Sequence, residues 1–224
     1  MCGRITNSRE EREEFAKELG VPFEQVPLDY QARYNIAPMQ DNVILRMRHE
    51  ERELVVARWG LVNYWAKDDS RAARCVNAKA ETVDTRPAFR EAFQRGRCVV
   101  PCDGFYEWTG LRADRRPLWF HRPDGHLLML AGLYERWQPA PGVWQRTFTM
   151  ITCEPNDLLR PIQNRMPVVL DDDVVDEWLD PAHPNPLELK RLLVPAGEEV
   201  LVFSPASRKV NWVENEGHHL LRAS

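Results

Sequence analysis

No segment of this 224-residue chain approaches the run of about twenty apolar residues that crosses a bilayer. Its first residues, MCGRITNSREEREEF, turn polar at once, unlike a secretion signal. Both absences point to a cytoplasmic protein with no membrane partner. Cysteine is scarce and odd in number, at positions 2, 75, 98, 102 and 153, which argues against a secreted disulfide framework and for reduced thiols. Cys98 and Cys102 fall on one face of an expected strand without His or further Cys at ligand spacing, so neither a metal site nor a cofactor is expected. An excess of positive charge is also missing: the formal charge is −4, which speaks against phosphate binding by the whole surface and leaves room only for a local basic groove. Repeats, low-complexity tracts and linkers are absent, so one domain over residues 1–224 is expected. Proline and tryptophan are plentiful instead, 17 and 8, implying many fixed turns and large amphipathic rings to be packed or used for stacking.

The patterning predicts an α+β protein. Ser8 with Glu11 reads as a capping box opening a helix over 8–19 that ends at Gly20. The Pro-punctuated stretch through 33–38 reads as extended loop, and the runs 42–48 and 53–59 as a hairpin. From residue 97 onward strands follow one another, at 97–101, 105–109, 117–121, 127–134 and 146–153, with short helices over 86–95, 171–179 and 186–193. The expected architecture is a mainly antiparallel sheet or barrel with peripheral helices.

Chemistry is concentrated in four places. Gly3 follows Cys2, and a small second residue favours removal of Met1, which leaves Cys2 with a free amine beside its thiol. An α-amine titrates near 7.7 to 8.0 against about 10.4 for Lys, so near pH ~7.4 roughly a third of it is neutral. Such an amine attacks an aldehyde, and the adjacent thiol then closes a five-membered thiazolidine on the same carbon. A cysteine that is merely buried near a chain terminus is the plain alternative. Asn77 and Lys79 share the motif NAKAET, where the amide suits an amine or sugar oxygen and the ammonium suits a phosphate; a turn-forming Asn reads equally well. Glu107 lies inside the aromatic strand FYEW, where burial would raise its pKa toward the range useful for proton transfer, unless it simply faces solvent. Arg165 follows Gln163 and Asn164 in a polar turn and offers a fork for phosphate, or an ordinary surface ion pair.

Taken in order, MCGR at 1–4, RYNIAP at 33–38, WGL at 59–61, NAKAET at 77–82, RCVVPCDGFYEW at 97–108 and NRMP at 164–167 resemble the SOS response-associated peptidase (SRAP) family. The resemblance implies a β-rich single domain around a groove for single-stranded DNA and single-strand/duplex junctions. The N-terminal cysteine, here Cys2, would link covalently to the ring-opened sugar of an abasic site. It also implies that Cys2, Asn77, Glu107 and Gln163 form the active site, that Arg4, Pro38, Lys79, Thr152 and Arg165 contact DNA, and that Trp65 stacks or wedges at the lesion. Two positions depart from the family pattern. Gln163 stands where a proton-exchanging His is usual, and Lys79 where Arg is usual.

Two further readings stay open. The family name suggests a peptidase, for which Cys2 lacks a nearby His, with removal of Met1 as the minimal activity. A non-covalent single-strand binder would use the same cations and tryptophans without the chemistry. A monomer suits a protein that wraps one lesion.

Overall fold

The computed structural model describes residues 2–111 and 114–223. The protein is α+β, as the patterning predicts. Its strands are β1 (Ile5–Asn7), β2 (Arg33–Ile36), β3 (Asp41–Arg48), β4 (Glu51–Trp59), β5 (Asn77–Lys79), β6 (Arg97–Cys102), β7 (Gly104–Thr109), β8 (Arg116–His121), β9 (Leu128–Ala140), β10 (Val143–Cys153), β11 (Met166–Pro167), β12 (Val169–Leu170) and β13 (Val202–Pro205). Helices α1 (Arg12–Leu19), α2 (Arg90–Arg95) and α3 (Val175–Leu179) are short and peripheral.

Five strands close on themselves. β4 pairs with β3, β3 with β6, β6 with β9 and β9 with β10, all antiparallel, and β10 returns to β4 in parallel. Closure leaves no free edge among these five, and Ile44, Val100, Leu130 and Phe148, which share one face of the ring, are fully buried. A second sheet of order β13-β8-β7-β1-β2 lies outside the ring. The apolar face of α1, Phe15 and Leu19, and Phe93 of α2 with Trp178 of α3 complete the core.

Several expected boundaries move. α1 begins at Arg12 rather than residue 8, and no side-chain cap forms at Glu11. The Ser8 amide and hydroxyl both donate to the Asp103 carboxylate, so the capping box is lost to a stronger, charge-assisted acceptor from the β6–β7 junction. The expected C-terminus stands: Gly20 takes the left-handed conformation, φ 67°. The segment read as extended loop over 33–38 contains β2, which pairs with β1. The helix expected over 86–95 is regular only from Arg90, that over 171–179 starts as a 3-10 turn, and that over 186–193 is 3-10 throughout its Pro186–Leu192 span. All five cysteines are free, and among the described residues no three His, Cys, Asp or Glu side chains gather as metal ligands would. No helix is long and apolar enough to cross a membrane.

Candidate active site

The site is assembled where the start of the chain meets β7. Ile5 of β1 pairs with Phe105, and the Tyr106 amide donates to the Arg4 carbonyl at 2.9 Å, so Cys2-Gly3-Arg4 continues the ladder alongside Glu107 and Trp108. Gly104 permits this close layering: a Cβ there would collide with the Trp119 indole, whose N–H donates to Thr6 Oγ1 at 3.1 Å. Cys2 is fully buried, with its thiol directed at the Arg4 carbonyl, 3.9 Å away. Burial first, and the negative charge of Glu107 second, hold that thiol well above the usual range, so it carries its proton at neutral pH.

From the other side, β5 runs parallel to β10 with Asn77 opposite Met150. This register sends the Asn77 amide N–H to the Cys2 carbonyl at 2.7 Å. The amide oxygen of Asn77 is buried and has no hydrogen-bond partner among the described residues, leaving an acceptor beside Cys2. Glu107 is 1% exposed rather than solvent-facing, and burial pushes its carboxyl up to about 7 against the pull of nearby positive charge, Arg115 included. A carboxyl poised there exchanges protons near neutral pH.

Glu107 borders a cleft of about 600 Å³ lined also by Gly3, Arg4 and Gln163, with Cys2 buried next to Gly3. Trp108, Asp114, Arg115, Arg208, Asn211 and Trp212 complete its walls. Arg4 is tied down: one Nη donates to Asn35 Oδ1 and to the Val210 carbonyl, each at 2.6 Å, and the guanidinium lies 5.7 Å from the Trp108 ring centre. Arg115 lies 5.4 Å from the same ring. Thus Cys2, Asn77, Glu107, Gln163 and Arg4, singled out in the sequence, do come together.

The remaining expected DNA contacts are arranged differently. Lys79 is exposed at the end of β5. Thr152, opposite Lys79, is buried, and its hydroxyl donates to the Ala78 carbonyl at 3.3 Å. Arg165 does not present an open fork. Its two terminal nitrogens donate to the Glu81 carboxylate at 2.5 and 2.9 Å, and one also reaches the Thr152 carbonyl. Pro38 sits half-buried in the turn before β3, and Trp65, 55% exposed, borders a separate hollow of about 520 Å³ after β4. Neither lines the cleft beside Cys2. The walls that sequence reasoning passed over, Trp108, Arg115, Arg208 and Trp212, had one visible signal in the basic and aromatic alternation of SRKVNW at 207–212.

The family model described as SOS response associated peptidase (SRAP) matches residues 1–213. The chain belongs to the SRAP family. Among SRAP relatives, YoaM of Bacillus subtilis (strain 168), named an abasic site processing protein, is 37% identical over 87% of this chain and 86% of its own. YoqW of the same organism, with the same descriptive name, is 34% identical over the full length of both chains. A crystal structure of a protein from Bacteroides thetaiotaomicron covers both chains completely with a TM-score of 0.87 at 24% identity, a likeness of fold. Within this SRAP chain Gln163 is half-buried and lines the cleft, and no His does so among the described residues.

Proposed function

We propose that this protein captures abasic sites in single-stranded DNA, at single-strand/duplex junctions included, by forming a thiazolidine between Cys2 and the opened deoxyribose. The observation that carries the reading is the convergence of Asn77, on the Cys2 carbonyl, and the buried Glu107, close enough to act on the Cys2 thiol, behind a cleft that Gly3 and Glu107 line. Loss of Met1, which lies outside the described residues, is the step that frees the Cys2 amine. That amine adds to the C1′ aldehyde, water leaves, and an imine forms. The Cys2 thiol then adds to the imine carbon while its proton passes to the nitrogen, so the adduct closes without any further reactant. Glu107 gives and takes the protons that water loss and ring opening require, and the open Asn77 oxygen accepts from the amine and orients it. The names of YoaM and YoqW support the substrate class.

A thiol held protonated by burial is poorly suited to be the first nucleophile, which fits attack by the amine before the sulfur. The same fact weighs against a general cysteine peptidase, which needs a thiolate and a base such as His. The test is a denaturing gel of the purified protein, with free Cys2 confirmed by mass spectrometry, mixed with a single-stranded oligonucleotide carrying one abasic site. A shifted band that survives denaturation and disappears in Cys2→Ala is expected. No band from the processed protein would overturn the covalent reading in favour of a non-covalent binder.

A further inference from the structure

We propose that Trp212 is a stacking platform for an unpaired base of the bound DNA strand, with Arg208 receiving that nucleotide's phosphate. The inference rests on the reading of the cleft as a DNA site and adds a subsite to it, on the C-terminal wall.

Three tryptophans are more than half exposed: Trp65, Trp144 and Trp212. Trp144 is covered on one face by Arg136, 4.6 Å from its ring centre, and Trp65 faces the other hollow. Trp212, 57% exposed, is the one of the three that lines the cleft. Trp108, its neighbour in the cleft, already has the guanidiniums of Arg4 and Arg115 over its ring and its N–H on Asn211 Oδ1 at 2.7 Å. Trp212 has no aromatic or guanidinium partner among the described residues, so its ring is available to a ligand.

The platform is rigid where a loop tryptophan would ordinarily be loose. The fully buried Asn35 of β2 donates its amide to the carbonyls of Trp212 at 2.9 Å and Asn215 at 3.0 Å, and lies 3.5 Å from that of Val210. The oxygen of the same amide receives Arg4, which ties the Trp212 backbone to the strand that leads from Cys2. The Trp212 amide closes the preceding turn on the Lys209 carbonyl. A ring fixed in this way loses little freedom on binding.

Cation supply lies next to it. Arg208 starts the same 3-10 turn, is 60% exposed, and lines the cleft. Its present partner is Asp114, at 2.5 Å, a carboxylate that also holds Arg116. A phosphate offers Arg208 the same charge-assisted geometry as that carboxylate. An aromatic face, a guanidinium one turn away and a cleft that reaches Gly3 and Glu107 suit a nucleotide whose base is not paired. A base inside a duplex is already stacked on both sides and has no face to give.

The experiment compares the full-length wild type with Trp212→Ala, Trp212→Phe and, as a control on another exposed indole, Trp144→Ala. Fluorescence anisotropy follows binding of a short undamaged single strand and of the same strand annealed as a blunt duplex. Trp212→Ala should weaken single-strand binding by about tenfold, Trp212→Phe should recover most of the loss, and duplex binding should not change. Single-strand affinity within twofold of wild type in Trp212→Ala, or an equal loss on duplex, overturns the platform. If undamaged strand binds too weakly to titrate, the half-saturating protein concentration for adduct formation on an abasic strand replaces it. That concentration should rise in Trp212→Ala with the maximum yield unchanged, and an unchanged value is the contrary result. A wild type that forms no adduct while Trp212→Ala still loses strand affinity would sink the covalent reading and leave the platform standing.

Discussion

Glu107 is held at 1% exposure between Tyr106 and Trp108, and the cost of keeping it there falls on its charged form. Its ordinary pKa of 4.5 rises to about 7 in the fold. Below pH 4.5 the carboxyl is protonated whether the chain is folded or not, and it contributes nothing to pH dependence. Between 4.5 and 7 the unfolded chain ionises while the folded one keeps its proton, so stability falls as pH rises and levels off above 7. Glu107→Gln, which has no charge to bury, should therefore match the native protein near pH 4 and exceed it at pH 8 by up to about 3 kcal/mol. Urea unfolding at the two pH values measures this; an equal difference at both would refute it. Gln163 has the opposite limitation, since an amide exchanges no proton at neutral pH. Gln163→His places a second proton carrier in the cleft and should accelerate adduct formation or its reversal in a gel time course; unchanged rates for both would show that Glu107 suffices. At this scale the sequence was informative about Cys2, Asn77 and Glu107, because each stands in a motif whose chemistry depends on residue type. It could not show the partners of Arg165 and Thr152, which depend on what sits opposite: Glu81 for one, the Ala78 carbonyl for the other.

Helices α2 and α3 are too short to be stable alone, and they share one C-terminal clamp. Arg97, 3% exposed at the start of β6, donates to the carbonyls of Phe93 and Gln94 at 2.9 and 2.8 Å, to Trp178 at 2.8 Å, and to Asp180. A guanidinium thus satisfies the orphan carbonyls at both helix ends and complements both dipoles. Arg97→Met should destabilise the protein by about 3 kcal/mol, and Arg97→Lys should recover only part, because an ammonium has neither the span nor the donors for four carbonyls. The urea midpoint reports both, and full recovery by Lys would show that charge alone matters. The elements that could be read from sequence were those closed by local signals: the β3–β4 hairpin, the strand succession after residue 97, and the Gly20 terminus of α1. The start of α1 was misplaced because Asp103, 95 residues from Ser8 in the chain, takes its hydrogen bonds. The β4–β10 closure was invisible, since pairing Arg58 with Thr147 in parallel leaves no mark in either segment.

Over the whole molecule a net charge of −4 surrounds a cleft that contains Arg4, Arg115 and Arg208. Strand binding should accordingly be local and shallow in its salt dependence. With two or three phosphates neutralised, the slope of log affinity against log salt for an undamaged single strand is expected to be about −2. An adduct once formed should persist in high salt. A slope several times steeper, measured by anisotropy across a salt series, would place strand contacts well beyond this cleft. The sequence by itself determined the α+β class, the six ordered motifs that mark the SRAP family, and the residue types able to attack an aldehyde, because patterning and functional-group chemistry are local properties of the chain. The tertiary structure decided which of those residues meet, that Glu107 is dry enough to titrate near neutrality, that Thr152 and Arg165 are already engaged, and that Trp212 lines the same cleft as Glu107. Burial, partners and register are set by contacts between segments far apart in the chain, and a sequence carries those only through the fold they jointly produce.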